Sequence, residues 1–402
     1  MATTKIYLDN SATTPIDPAV YKAMEPYLKN QFGNASSLHF FGLEAKKAVD
    51  NTALKIASYL SCLAEEVYFT SGATESDNMA VFGLIEAIRK ANSNTPLHVI
   101  ISAIEHDAML ESVQQLKKEG VEVTYLKPNS KGLIEVGSLA KEIKQNTVLV
   151  SIMYANNEIG TIQPIAEIGK LIKEINLQRQ SAKAEKVYFH TDATQAAACC
   201  EMSVEKLGVD MLSFSAHKIY GPKGVGVFYL KKGTPFKSQI YGGHQQNNIR
   251  PGTYNVASIV GLGKAIEILM DKKSLQKEKA KLKELRDYLV KGIKARIKNI
   301  TINGDMSKRL PSNASIIFQG AEGESILLML SQKGIAVSTG SACSSGSLEP
   351  FHVLMAIGVK PEFAHGSIRF SLGRFNTKKE IDIVLKHLPP IISRLREMSP
   401  LK

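Results

Sequence analysis

The chain has 402 residues, 44% of them hydrophobic and 22% charged, ordinary proportions for a soluble globular protein with room for one large and one smaller domain. No apolar run approaches the roughly 20 residues of a membrane span, and the start MATTKIYLDNSATTP turns polar at once, which makes the cytoplasm the default location. The net charge of +12 is spread among acidic residues, with no tryptophan and no basic tail, which argues against a dedicated nucleic-acid binder. The four cysteines, Cys62, Cys199, Cys200 and Cys343, include no CxxC pair, which argues against zinc sites and structural disulfides.

From residue 16 the chain alternates helical and strand patterns. PAVYKAMEPYLKN and GLEAKKAVDNTALKIASYL read as helices, EVYFTSG as a strand, and ESDNMAVFGLIEAIRKA as a helix. LHVIISAIEH, VEVTYLKP, TVLVSIMYANNEIG, KVYFHTDATQ, DMLSFSAHK and GVGVFYLKK follow as strands. AMLESVQQLKKEG, VGSLAKEIKQ and IAEIGKLIKEINLQ are helices between them. Apolar strands in such alternation predict a mostly parallel sheet covered on both faces. INLQRQSAKAEKV is polar and reads as a surface loop. A charged helix near 272–298, with Leu282, Leu285, Leu289 and Ile293 on one face, leads to a second region. There ASIIFQG, GIAVSTG and GSIRFSLG are short strands beside two or three helices.

Polar clusters follow the strands: TSGATESDN, EHDAM, NNEIG, DATQ and SAHK. In an open α/β sheet the carboxyl ends of the strands form the ligand crevice, so these clusters predict one composite site. Gly72, Ala73 and Thr74 suit an anion at a helix start, or an ordinary N-cap. Lys218, after the apolar DMLSF, is a candidate Schiff-base lysine or a lysine snorkelling from a strand end. Asp192 suits a buried cation such as a protonated pyridine nitrogen, or a helix cap. His106 is either a ring stacker and proton shuttle or a histidine that starts a helix. Arg369 is a carboxylate clamp or an ion-paired strand arginine. Gly252 and Thr253 are phosphate donors or a Pro-Gly turn. Cys62, Cys199 and Cys200 read as small buried apolar groups. Cys343, within VSTGSACSSGSLEP, has little to pack against, and an exposed thiol implies a task.

The motifs FTSGATESDN, NNEIGTIQPI, HTDATQ, SFSAHKIYGPKG, STGSACSSGSLEP and SIRFSLGRFNT resemble those of the NifS/IscS-type cysteine desulfurases, nearly end to end. These are pyridoxal phosphate (PLP) enzymes of aminotransferase class V. The resemblance implies the α/β PLP-dependent transferase fold type I. Its large domain, 15–264, would carry a mostly parallel seven-stranded sheet. A smaller α+β domain, 1–14 and 265–402, would carry the cysteine loop at about 338–350. The implied roles follow the motifs. Lys218 carries the cofactor and acts as base at the substrate Cα; Asp192 pairs with the pyridine nitrogen, Gln195 meets the phenolic oxygen and His106 stacks on the ring. Ala73, Thr74, Ser215, Ala216, His217 and Thr253 surround the phosphate, with Thr253 crossing from the other subunit of a homodimer. Asn157 and Arg369 grip the substrate carboxylate. Cys343 takes sulfur from L-cysteine as a persulfide and L-alanine leaves. The sulfur then passes to an iron–sulfur scaffold or another acceptor, for cluster, thio-cofactor or tRNA thiolation synthesis. No resident metal is implied, Cys343 being at most a transient ligand of a nascent cluster. The long small-residue segment around Cys343 is similar to the family's first group, in which it is mobile. The alternative activity is that of a selenocysteine lyase or another class V aminotransferase. Two departures stand out: Ala216 replaces the usual glycine of SGHK, and Gln246 replaces an acidic residue.

Overall fold

Seven of the apolar runs form one sheet. The computed structural model describes residues 5–91, 96–182, 184–339 and 351–399. The strands are β1 (Ile6–Tyr7), β2 (Val67–Thr70), β3 (His98–Ser102), β4 (Glu122–Leu126), β5 (Thr147–Ser151), β6 (Tyr188–Asp192), β7 (Met211–Ser215), β8 (Gly226–Leu230), β9 (Ile300–Ile302), β10 (Asn313–Phe318), β11 (Ile335–Ala336) and β12 (Ser367–Ser371). The large sheet runs β2-β8-β7-β6-β5-β3-β4. All neighbours are parallel except the two pairs that β8 makes with β2 and β7. Strands β3, β5, β6, β7 and β8 are buried at every position, as a sheet covered on both faces requires.

One hydrophobic core spans Val20 to Leu269, with Leu310, on one face of this sheet. The opposite face packs Met79, Leu84, Ile85, Met109 and Val113. A separate core joins Ile6 and Leu8 to the faces of the helices Lys272–Arg296 and Lys378–Met398. Leu282, Leu285, Leu289 and Ile293 all belong to it. Around it lie the antiparallel sheet β12-β10-β9 and the parallel pair β1-β11. The chain's start and its last third therefore share one core. A smaller cluster, in which Ile104, Met153 and Ile159 meet Val353, Leu354 and Ile357, joins this region to the large sheet.

Two local expectations change. The polar stretch after 174 is not a loop at its start: the helix Ile165–Ser181 runs through it. Arg179 is the reason. It is buried, and its guanidinium donates to the carbonyls of Thr147 and Glu185 at 2.8 Å and to that of Lys144. The helix expected over 75–91 contains a π turn at Met79–Gly83, where Phe236 packs onto Gly83; a Cβ there would stand 2.2 Å from the ring. Strand β9 had no clear pattern in the sequence.

Candidate active site

The carboxyl ends of β3, β5, β6 and β7 open into one cavity of about 870 Å³. Its walls include Ala73, Thr74, His106, Asn157, Asp192, Gln195, Ser215, His217, Lys218 and Arg369. Residues from six separate motifs thus converge.

Lys218 follows β7 in a short 3-10 turn, and its Nζ donates to the carbonyls of Ser11 and Ala12 at 2.6 and 2.7 Å. Gln195 Nε2 donates to the same Ser11 carbonyl at 3.0 Å. The N-terminal segment Ser11–Thr13 is therefore part of the site, which the strand-end rule could not reveal. Asp192 ends β6 with 6% exposure. Its Oδ1 accepts from the Thr194 N–H at 2.8 Å, and Oδ2 accepts no hydrogen bond among the described residues. His106 both caps and lines. Its Nδ1 accepts from the Ala108 N–H at 3.1 Å at the start of the helix Asp107–Lys118. That bond leaves the ring proton on Nε2.

At the other end, Gly72–Thr74 turn from β2 into the helix Ala73–Asn78. Gly226 permits this turn to lie against β8: a Cβ there would stand 2.7 Å from Gly72 Cα. Ser215 and His217 line the same end, with Lys223 beside them. His217 bonds Thr13 Oγ1 through Nδ1 at 3.1 Å. Burial, with help from Lys218 and Lys223, pushes its pKa down to about 4, so it is a neutral ring. Arg250 clasps Glu75 with two bonds of 2.7 and 3.2 Å, tying the loop before Gly252 to this helix.

Arg369, on β12, donates to the Asn157 carbonyl at 3.0 Å and to Asp9 Oδ1 at 2.9 Å. Its Nε has no partner among the described residues. Ser338 pairs with Arg369 through backbone bonds of 3.2 and 2.7 Å. Phe351 and His352, C-terminal to the Cys343 segment in the sequence, also line the cavity. Cys343 and most of its expected loop, 340–350, lie outside the described residues.

Two expected phosphate neighbours do not line the cavity. Ala216 is fully buried in the core, and its Cβ abuts Gly221, where an added Cβ would stand 2.9 Å away. Its extra methyl therefore faces core rather than ligand. Thr253 is exposed and lies off this cavity. Conversely, Ser11, Thr13, Asp77, Glu105, Lys223 and His352 line it without having been singled out. GPKG offered a signal for Lys223; the others have no spacing signature. Gln246 gains a structural account. Its Oε1 accepts from Phe69 N–H at 2.6 Å, and its Nε2 donates to Phe69 O at 2.9 Å and Arg250 O at 3.0 Å. It occupies the open edge of β2 as a strand neighbour would.

No group of three or more His, Cys, Asp or Glu poised for a metal exists among the described residues. The arrangement suits PLP instead: a lysine across from a buried carboxylate with an unengaged oxygen, and small-residue backbone at a helix start for a phosphate. Fold and cavity thus define a PLP-dependent enzyme of the large α/β type.

Comparison with known proteins agrees. The family model described as aminotransferase class V matches residues 6–384, and the chain belongs to that family. It is 48% identical over 398 residues to "Cysteine desulfurase IscS" of Dictyoglomus turgidum, covering 99% of this chain and 97% of that one. It is 45% identical over 401 residues to "Cysteine desulfurase IscS" of Vibrio vulnificus, covering 98% and 95%. The solved structure of a "NifS-like protein" superposes with a TM-score of 0.88 at 36% identity, over 97% of this chain and 100% of that one. The protein is a PLP-dependent cysteine desulfurase of the IscS type.

Proposed function

We propose that Lys218 and Asp192 are the paired handles for the cofactor, and that Cys343 receives the sulfur. The convergence of Lys218 Nζ, held by Ser11 and Ala12, with buried Asp192 across one cavity carries this reading. When bound, PLP supplies an electron sink for the substrate's Cα. Asp192 Oδ2 would pair with the cation of its ring nitrogen, and His106 would cover the ring. Backbone N–H groups at Ala73 and Thr74, with Ser215 and His217, would hold the phosphate. Arg369, already aimed by Asp9 and Asn157, takes the substrate carboxylate. Lys218 Nζ removes the Cα proton. The Cys343 thiolate then attacks the substrate sulfur. An S–S bond forms, the C–S bond breaks, and its electron pair stays on carbon. Cβ takes up a proton, Cα regains the proton held by Lys218 Nζ, and L-alanine leaves, while Cys343 holds the persulfide for an acceptor protein. The described flanks of the Cys343 segment, Ser338 and Phe351, both border the cavity or its arginine.

The two cores support a division into a large cofactor domain over 15–264 and a small domain from 1–14 and 265–402. A homodimer completes the reading. Leu38, Phe40, Phe32 and Leu43 are 91%, 66%, 71% and 57% exposed, with Phe40 and Phe32 both against Phe41. So large an apolar cluster marks an interface, and the exposed Thr253 suits a role in the partner's site.

Lys218→Ala is expected to lose the visible absorbance of the bound cofactor. Cys343→Ser is expected to keep that absorbance and lose sulfide release from L-cysteine, assayed without any 2-oxo acid. Wild-type sulfide release by Cys343→Ser would refute the sulfur-acceptor role. Alanine formation that depended on an added oxo acid would favour an aminotransferase. In sedimentation, Phe40→Glu should shift the enzyme from dimer toward monomer; a monomeric wild type would refute the shared site.

A further inference from the structure

Asp77, on the helix Ala73–Asn78, has no surface exposure, and neither carboxylate oxygen has a hydrogen bond among the described residues. Its nearest basic group is His190, whose Nε2 stands 3.7 Å from Oδ1. His190 cannot serve as a counter-cation. Its two ring nitrogens bond the hydroxyls of Ser151 at 2.8 Å and Ser213 at 2.9 Å, and burial pushes its pKa down to about 3. An ionised carboxylate left alone in such a place bears its full desolvation penalty with no cation to offset it.

The other neighbours make ionisation costlier still. Asp192 lies two residues along β6 from His190, on the same face of the strand. Glu105, between β3 and the next helix, is buried, with one oxygen bonded by Met153 N–H at 2.7 Å and the other unpartnered. The helix Asp107–Lys118 adds Asp107 and Glu111 to the cavity lining. On β8 the one titratable side chain, Tyr229, answers to Glu66 and Asp210 instead. Burial, then the fields of Asp192 and Glu105, raise the Asp77 pKa well above the carboxylate range; the nearby Ser213 hydroxyl, which is engaged with His190 Nε2 and makes no formed bond to Asp77, offsets only part of this.

We propose that Asp77 is a positioning residue held as a neutral carboxylic acid behind Asp192, so that Asp192 is the sole anion of the pair at the cavity floor. This rests on the reading of Asp192 as the cofactor's partner. Were Asp77 charged, two carboxylates would compete for one ring cation, and the field of the second would raise the cofactor's own titration. Its acid proton removes that field without removing the carboxyl's volume.

Infrared spectroscopy of the holoenzyme tests the proton directly. Enzyme grown with carboxyl-¹³C aspartate should show, at neutral pH, a protonated-carboxyl band that shifts with the label and in D₂O. Asp77→Asn should abolish it, and Glu105→Gln should not. No label-sensitive band in the wild type would overturn the proposal without any variant needing to fold. A band that persisted in Asp77→Asn would overturn it equally. The pH titration of the cofactor's visible absorbance gives a second readout. Asp77→Asn should leave it in place; a fall of about one pH unit or more would show that a charge had been removed. The underlying reading fails separately, if Asp192→Ala binds cofactor as the wild type does.

Discussion

Gln246 has φ of 51°, and Asn247 and Asn248 follow at 57° and 61°. Three non-glycine residues in the left-handed region each cost roughly 1 kcal/mol or more. The Gln246 amide offsets this through its three bonds to Phe69 and Arg250. A carboxylate could accept from Phe69 N–H but would face the Phe69 and Arg250 carbonyls with no proton to give. Gln246→Glu should therefore destabilise the fold by about 1–3 kcal/mol in urea titrations. Asn248→Gly should stabilise it by up to about 1 kcal/mol, since glycine adopts that φ without strain. If Gln246→Glu matched the wild type, the amide would not be what holds the loop. At this scale the sequence was most legible where side-chain type and position spoke together. Lys218, Asp192 and His106 each had two readings. His106 caps its helix through Nδ1, the second of its readings, and its ring lines the cavity. Asp77, Glu105 and Ser11 were not legible, because what matters about them is burial or a carbonyl's direction, and neither leaves a residue pattern.

Elements were read well where hydrophobic period was strong. All seven strands of the large sheet are legible: six are short runs buried at every position, and the edge strand β4, exposed or half-buried over its first four residues, still shows a strand pattern. The sequence ends the helix Ile165–Ser181 too early because its last turns are polar, and polarity by itself implies solvent. Yet Arg179 is only 9% exposed, and its work is to close three carbonyls at the amino ends of β5 and β6. Removing it would leave buried acceptors unpaired. Arg179→Met, which keeps the aliphatic stem, is expected to cost about 2–4 kcal/mol of stability by thermal or urea unfolding. A cost within about 0.5 kcal/mol would show that water takes over those carbonyls. Strand β9 is illegible in the sequence for a different reason. It is a three-residue strand at a sheet edge, half exposed, and so short that no alternation develops.

Across the whole molecule, buried titratable groups set opposite dependences on pH. Glu105 and Glu158 are buried, each with an unpartnered oxygen, and burial pushes both up to about 8 from the ordinary 4.5. The folded state then holds protons that the unfolded chain has lost, so stability falls as pH rises from about 4.5 to about 8 and levels off above. His190 and His217 act in the other sense. Burial holds them at about 3 and about 4 against 6.5, so the unfolded chain binds protons first as pH falls below 6.5 and stability drops. Between 4.5 and 6.5 the two pairs oppose each other, and above 6.5 only the carboxyls remain. Stability at saturating cofactor should therefore decline from pH 6.5 to 8, each carboxyl contributing up to about 1.4 kcal/mol per pH unit. Glu158→Gln keeps the neutral shape and cannot ionise. It should flatten that decline by about 1 kcal/mol per pH unit near pH 7 in urea midpoints, while leaving the acid limb below pH 4.5 as in the wild type. A slope above pH 6.5 unchanged by Glu158→Gln would mean that Arg369, whose charge opposes the shift, already holds this carboxylate ionised in the folded enzyme.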